Sequence, residues 1–326
     1  MSGPYILRLE GLLVKEEVTY ATDPTPSATT DGVRAVGRIW QAMTSEYAFP
    51  NEREDTLSNS RIDVAPAVPR GRIMNIDFEV DLIGSGAAYS SVTPVRPAMD
   101  ALFMACGKAR THDNTGGAEK VDYDLTDAQP DPSCTIWAYA GGDLFKIVGC
   151  RGNWTWDVLA GGLGKVRFQM QGLLSTAPAE TSVASITYDS VVPPAAIAIG
   201  LAIVPSGGGS WTPQVASMTV TPGNNVVRLD DANAADGIGS FEIASRQPRV
   251  TLVVRKPDLS DYTLYARALA RTLHTIDWTL GSTQYNRIIG DINAAYLLTD
   301  GDFGEDNGFA GITLTYKMLD LRLRFS

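Results

Sequence analysis

Residues 71–82 read GRIMNIDFEVDL, an unbroken alternation with Met74, Ile76, Phe78, Val80 and Leu82 on one side and Asn75, Asp77, Glu79 and Asp81 on the other. Successive side chains of a strand point to opposite faces, so this period predicts a half-buried β-strand with an acidic face. Gly164 to Leu174, GKVRFQMQGLL, alternates in the same way and carries Lys165, Arg167, Gln169 and Gln171 as its polar set. Three readings fit the acids Asp77, Glu79 and Asp81. They could be a solvated face that keeps an edge from aggregating, partners of the basic set across neighbouring strands, or a wall that must not hold a polyanion.

Outward from these strands the chain repeats itself. Thr135 to Gly149 (TIWAYAGGDLFKIVG) and Thr275 to Gly290 (TIDWTLGSTQYNRIIG) both read as hairpins, turning at Gly141-Gly142 and at Gly281-Ser282. Trp137 matches Trp278, and Lys146 to Gly149 matches Arg287 to Gly290, at an offset of 141. Val166, Phe168 and Met170 fall on Ile312, Leu314 and Tyr316 at an offset of 146, which puts five extra residues in the acidic turn Asp300 to Gly308. Upstream, residues 71–82 correspond to Pro248 to Leu259, PRVTLVVRKPDL.

Each of these two segments leads into a helical pattern. Met99, Leu102, Phe103 and Cys106 recur at helical spacing, with Gly107 as C-cap. Ser260 is placed to cap a stripe of Leu264, Tyr265, Ala268, Leu269 and Leu273. The fold expected is mainly β: two tandem antiparallel β-sandwich or barrel domains, each with one flanking α-helix. Residues 1–178 and 179–326 are the two domains, with the polar, Pro-bearing stretch near Thr176 to Glu180 as the linker. A single large sandwich with accidental similarity is the alternative.

The 326 residues carry 27 Lys and Arg against 37 Asp and Glu, a net charge of −10, which opposes tight wrapping by a phosphate backbone. Cys106, Cys134 and Cys150 form no zinc spacing; Cys134 and Cys150 flank the first hairpin, where either a cross-strand disulfide or reduced thiols fit, and a reducing compartment favours the thiols. Met1 to Glu10 shows no secretory pattern. Ala195 to Val204, ten apolar or small residues between prolines, is too short to span a bilayer and reads as a buried strand or packing segment.

Catalytic chemistry is not expected. Only His112 and His274 are available as neutral-pH proton carriers; the first sits in a polar stretch that reads as a loop, the second after the second helical pattern. No nucleophile elbow, phosphate loop or zinc helix motif is present, and the carboxylates Asp300, Asp302, Glu305 and Asp306 miss the calcium-loop spacing and read as an acidic turn. Asp122, Asp124, Asp127 and Asp131 read as a solvated series. No enzyme activity, cofactor or metal is therefore expected.

Glu46 to Arg61, EYAFPNEREDTLSNSR, is a long polar stretch in which Tyr47, Phe49, Arg53 and Leu57 are candidate contacts to a neighbouring molecule. At the N-terminus, Leu12 to Pro26 reads LLVKEEVTYATDPTP. This start resembles that of major tail tube proteins of long-tailed (siphovirus-type) bacteriophages, in their two-tandem-domain form; the SRQP segment (Ser245 to Pro248) and the duplication resemble them too. Ala21 stands where those proteins often have Gly, a departure expected to cost little.

The resemblance implies a structural subunit whose domains assemble into rings of six that stack into a hollow tube for genome delivery. Two domains per chain would then imply homotrimeric, pseudo-hexameric rings. The partners implied are further copies, the tape measure, tail terminator and tail-tip or baseplate proteins, and double-stranded DNA that passes without sticking. The place is the virion tail, assembled in the host bacterial cytoplasm with no membrane involved. In that frame Asp77, Glu79 and Asp81 are the expected lumen-facing strand, and Tyr47, Phe49, Arg53 and Leu57 the expected inter-ring loop. A tandem carbohydrate- or cell-surface-binding module, with Trp137, Trp154, Trp156 and Trp278 as stacking platforms, is the alternative.

Overall fold

The computed structural model describes residues 10–50, 69–92, 95–127, 131–182, 185–260, 262–299, 301–306 and 308–326. In chain order the first half contains β1 (Gly11–Glu16), β2 (Ala35–Val36), α1 (Ile39–Ala42), β3 (Met43–Phe49), β4 (Arg70–Asp81), α2 (Asp100–Ala105), β5 (Lys108–Asp113), β6 (Lys120–Leu125), β7 (Cys134–Ala140), β8 (Asp143–Leu159), β9 (Lys165–Leu174) and β10 (Ala179–Glu180). The second contains β11 (Ala202–Pro205), β12 (Val215–Thr221), β13 (Asn224–Asp230), β14 (Ile238–Arg246), β15 (Arg249–Arg255), α3 (Leu264–Leu269), β16 (Leu273–Leu280), β17 (Ile288–Leu297), β18 (Asp302–Asp306), β19 (Phe309–Met318) and β20 (Arg322–Phe325). The fold is mainly β, antiparallel and sandwich-like, as expected from the alternating strands.

The two halves share a pairing order. In the first, β1, β7, β8, β9, β4 and β3 are antiparallel neighbours in that sequence. In the second, β11, β16, β17, β19, β15 and β12 follow the same sequence. β8 passes between the layers: its start pairs with β7 and its end with both β9 and β12. A register shift around Gly149, whose φ is +63, accompanies the change of direction.

Because β12 pairs with the end of β8, the strands β3, β4, β9, β8, β12, β15, β19 and β18 form one continuous antiparallel sheet across both halves. The other layer is joined as well, with β20 lying between β17 and β6. One hydrophobic core runs through both halves. Phe103 of α2 stacks edge-on against Trp154 and Phe168 at 5.7 and 5.5 Å, and Trp156 meets Trp278 at 5.7 Å.

Several expectations are corrected in detail. The first helix forms where expected and Gly107 ends it with φ +74. The second is shorter: Thr263, not Ser260, precedes it, and Leu273 already belongs to β16. His112 lies in β5 opposite Val121, not in a loop, and His274 is buried in β16. The acidic stretch from Asp302 is an edge strand and not a turn, while Asp300 lies outside the described residues. In the polar stretch after Glu46, residues up to Phe49 are strand.

Trp137 and Trp278 also prove not to be equivalent. Ile136 and Ala138 face the main core and turn Trp137 outward, whereas Trp278 itself faces that core. At the expected linker, Ala179 and Glu180 pair with β8, and residues 187 to 196 touch both halves: the Thr187 N–H donates to Ala28 O and the Ala196 N–H to Gly162 O, while Asn286 Nδ2 donates to Val192 O. In the Ala195 to Val204 segment, Leu201 and Ile203 are buried, β11 begins at Ala202, and Ile197 remains exposed.

Candidate assembly surfaces

The outward face of the continuous sheet holds the expected acidic strand. Asp77 binds Arg167 of β9 in a fork, with Nε to Oδ1 at 2.7 Å, and accepts a 3.4 Å hydrogen bond from Gln169. The Arg167 hydrogen bond is the main reason its carboxyl lies below the ordinary range. Lys165 Nζ lies 3.8 Å from Glu79, and Asp81 stands opposite Lys165 in the ladder. Farther along, Asp157 accepts the Thr219 hydroxyl at 2.7 Å across the β8–β12 seam. Charges of both signs are interleaved here, which is the cross-strand arrangement. The pairs are exposed enough to add little stability.

Two ends of this sheet are left. β3 pairs only with β4, and β18 only with β19, among the described residues. β3 carries Tyr47, which is exposed, and Phe49, which turns toward the β13–β14 hairpin and lies under the Arg228 guanidinium at 5.0 Å. Arg53 and Leu57 lie outside the described residues. At the opposite end, Phe303 of β18 is 70% exposed, and Phe309, three ladder positions along on the other face, is 62% exposed.

The N-terminal stretch that suggested a resemblance has a definite physical role. The Glu17 carboxylate, only 8% exposed, accepts hydrogen bonds from Ala21 N–H, Ser133 Oγ, Thr135 Oγ1 and Gly149 N–H at 2.6 to 2.8 Å. Tyr20 acts as an acceptor: its hydroxyl receives the Phe241 N–H at 2.8 Å, while Arg151 lies over its ring. Burial pushes the Tyr20 phenol up to about 12. Asp23 takes the Trp137 indole N–H and faces Lys146 at 3.4 Å. The segment therefore fastens the first hairpin to β14 of the second half. Nothing in the local sequence pattern marks Glu17 or Tyr20 for this role, because their partners lie far away along the chain.

A family model for phage tail tube proteins matches residues 9–318. The chain belongs to the phage tail tube protein family. Among curated proteins, no relative matches it. Membership implies a structural role, self-assembly into a tube, and a place in the tail of a virion.

The remaining candidates of this tail tube protein are structural. Trp154, Trp156 and Trp278 are at most 1% exposed, so they are core residues and not platforms for a sugar. Trp137 is half-buried under Lys146, 4.0 Å from its ring. His274 Nε2 bonds the Tyr262 hydroxyl at 2.8 Å, and burial lowers its pKa, so it is a neutral core group. Burial likewise lowers that of His112. Cys134 and Cys150 stand opposite each other as free, buried thiols, and burial raises the Cys150 thiol well above its usual value. Asp122 and Asp124, expected to be solvated, instead pair with Arg324 and Arg322 of β20, each at 2.8 Å, and Asp131 pairs with Arg246 at 3.1 Å.

Proposed function

We propose that this chain is the major tube subunit of a long-tailed phage, that residues 1–178 and 179–326 are two quasi-equivalent tube domains, and that three chains close a pseudo-hexameric ring. Rings stack into a hollow conduit for the genome, bounded in the virion by tape measure, terminator and tail-tip proteins. One observation carries the reading: the β8–β12 seam joins two similarly ordered halves into a single sheet whose two ends, β3 and β18, each have one strand partner among the described residues. A sheet with two unfilled edges is a template for further pairing, and rotational closure is the way to use both without forming an open fibre.

In this reading the outward face of β4 and β9 lines the lumen. Asp77, Glu79 and Asp81 then serve less as an acidic field than as partners that neutralise Lys165 and Arg167. A wall whose cations are already occupied offers DNA phosphates little to bind, and a polyanion would glide over it. Tyr47, Arg53 and Leu57 remain the proposed inter-ring contacts, whereas Phe49 is taken up by packing within its own chain.

The test is negative-stain electron microscopy of the concentrated, purified chain. Hollow tubes or threefold rings are expected. Monomers that persist at high concentration, and with tail-tip proteins added, would refute the reading.

A further inference from the structure

The ladder on β9 and β19 puts the two halves of the sheet in a common register. Val166, Phe168 and Met170 pair with Val80, Phe78 and Ile76 of β4, whereas Ile312, Leu314 and Tyr316 pair with Val254, Leu252 and Val250 of β15. Ile76 thus corresponds to Val250, an offset of 174 where sequence matching of the same strands gave 177. On the other side of the ladder, Val166 stands opposite Trp156 of β8, and Ile312 stands opposite Phe303 of β18. Directly opposed residues share a face of the sheet. Phe303 therefore holds in the second half the place that Trp156 holds in the first.

Their surroundings differ. Trp156 is 0% exposed because the second half covers it, with Val220 of β12 opposite and the Trp278 ring 5.7 Å away. Phe303 shares the core-facing side with Ile312, which is 1% exposed, yet is itself 70% exposed. The same register names what would cover it. Val220 pairs with Val250, Val250 corresponds to Ile76, and Ile76 pairs with Met43 of β3. Three residues before Met43, in α1, Trp40 is 46% exposed, with its ring 6.3 Å from Phe145.

We propose that Phe303 is the anchor of the joint between chains: it crosses to a second copy, stands opposite Met43, and packs against the Trp40 and Phe145 rings as Trp156 packs against Trp278 within one chain. β18 and β3 of the two copies pair as strands in the register of β8 and β12. The proposal rests on the tube reading above. It adds the identity of the edges, the register and the residue that fills the joint.

The experiment compares the full chain with Phe303→Asp and, as a control, Leu269→Asp, which alters an 88% exposed residue of α3. Because Phe303 contacts little in the single chain, F303D should melt at the wild-type temperature as a monomer while raising the concentration needed for rings tenfold or more. L269D should assemble as wild type does. Independently, the F303C/M43C double variant, oxidised after assembly, should give chain-to-chain cross-links that neither single variant gives, since opposed strand residues lie within disulfide reach. The native cysteines are buried and should stay silent. Wild-type protein that never polymerises overturns the tube reading, and this proposal with it. Wild-type rings alongside unimpaired F303D rings and no F303C/M43C cross-link overturn the proposal alone.

Discussion

Replacing Glu17 by Ala should destabilise the subunit by about 3 kcal/mol, a large share of the roughly 5–15 kcal/mol that holds a domain together. The carboxylate satisfies two backbone N–H groups, of Ala21 and Gly149, and two hydroxyls, of Ser133 and Thr135. The hydroxyls can rotate toward other acceptors, but the backbone groups cannot. Each buried donor left alone costs about 1–3 kcal/mol, so the two give about 2–6 kcal/mol, and water entering the vacated space brings the sum into the lower half of that range. Gln should lose less, about 2 kcal/mol, because its amide oxygen keeps one of the two backbone N–H groups and a hydroxyl, while its NH2 faces the other N–H and can only donate, to the remaining hydroxyl oxygen. Urea titration followed by tryptophan fluorescence measures both, with midpoints compared at constant slope. A loss below about 1 kcal/mol in Glu17→Ala, or a Gln variant as stable as the wild type, would refute the view that these hydrogen bonds fasten the segment.

Ala21 has φ +55, in the left-handed region where a Cβ is strained, so Ala21→Gly should raise stability by about 1 kcal/mol, read from the same titration. A backbone of this shape suits Gly, which corrects the expectation that an Ala there costs little. Lys108 is fully buried, donates to the Tyr123 and Leu321 carbonyls, and is pushed by burial down to about 7. Above that pH the unfolded chain binds the proton that the folded chain has lost. Wild-type stability should therefore rise relative to Lys108→Met between pH 7 and 9, by at most about 1.4 kcal/mol per pH unit; parallel urea curves would contradict this. Neutralising the acids proposed to face the lumen (Asp77→Asn, Glu79→Gln, Asp81→Asn) frees Arg167 and Lys165, and should slow DNA ejection from intact tails; normal ejection kinetics would remove that assignment.

Much of the framework was legible from local patterns. The alternation over residues 71–82, the turn at Gly141-Gly142 and the helix ended by Gly107 all follow from period and backbone freedom, and each stands where expected. The candidate site was less legible. Asp77, Glu79 and Asp81 share a face because strands alternate, but that Arg167 and not open solvent meets Asp77 depends on which strand lies alongside. The β13–β14 hairpin leaves little mark in the sequence because its exposed residues alternate weakly, and β20 because a four-residue strand is held only by its neighbours β17 and β6.

The matched tryptophans show where sequence similarity misleads. Trp137 and Trp278 align along the chain, yet one faces out and the other into the core, since a shift of one residue in a strand exchanges its faces. Sequence by itself determined that this chain is made of alternating strands, repeated in order, with a start like that of tail tube proteins. Only the tertiary structure decided that the two halves fuse through β8 and β12 into one sheet, that Trp156 is covered and Phe303 is not, and which edges are left to meet another copy. Periodicity is a local property fixed by backbone geometry, whereas strand partnership is set by long-range burial, in which every alternative pairing competes at once.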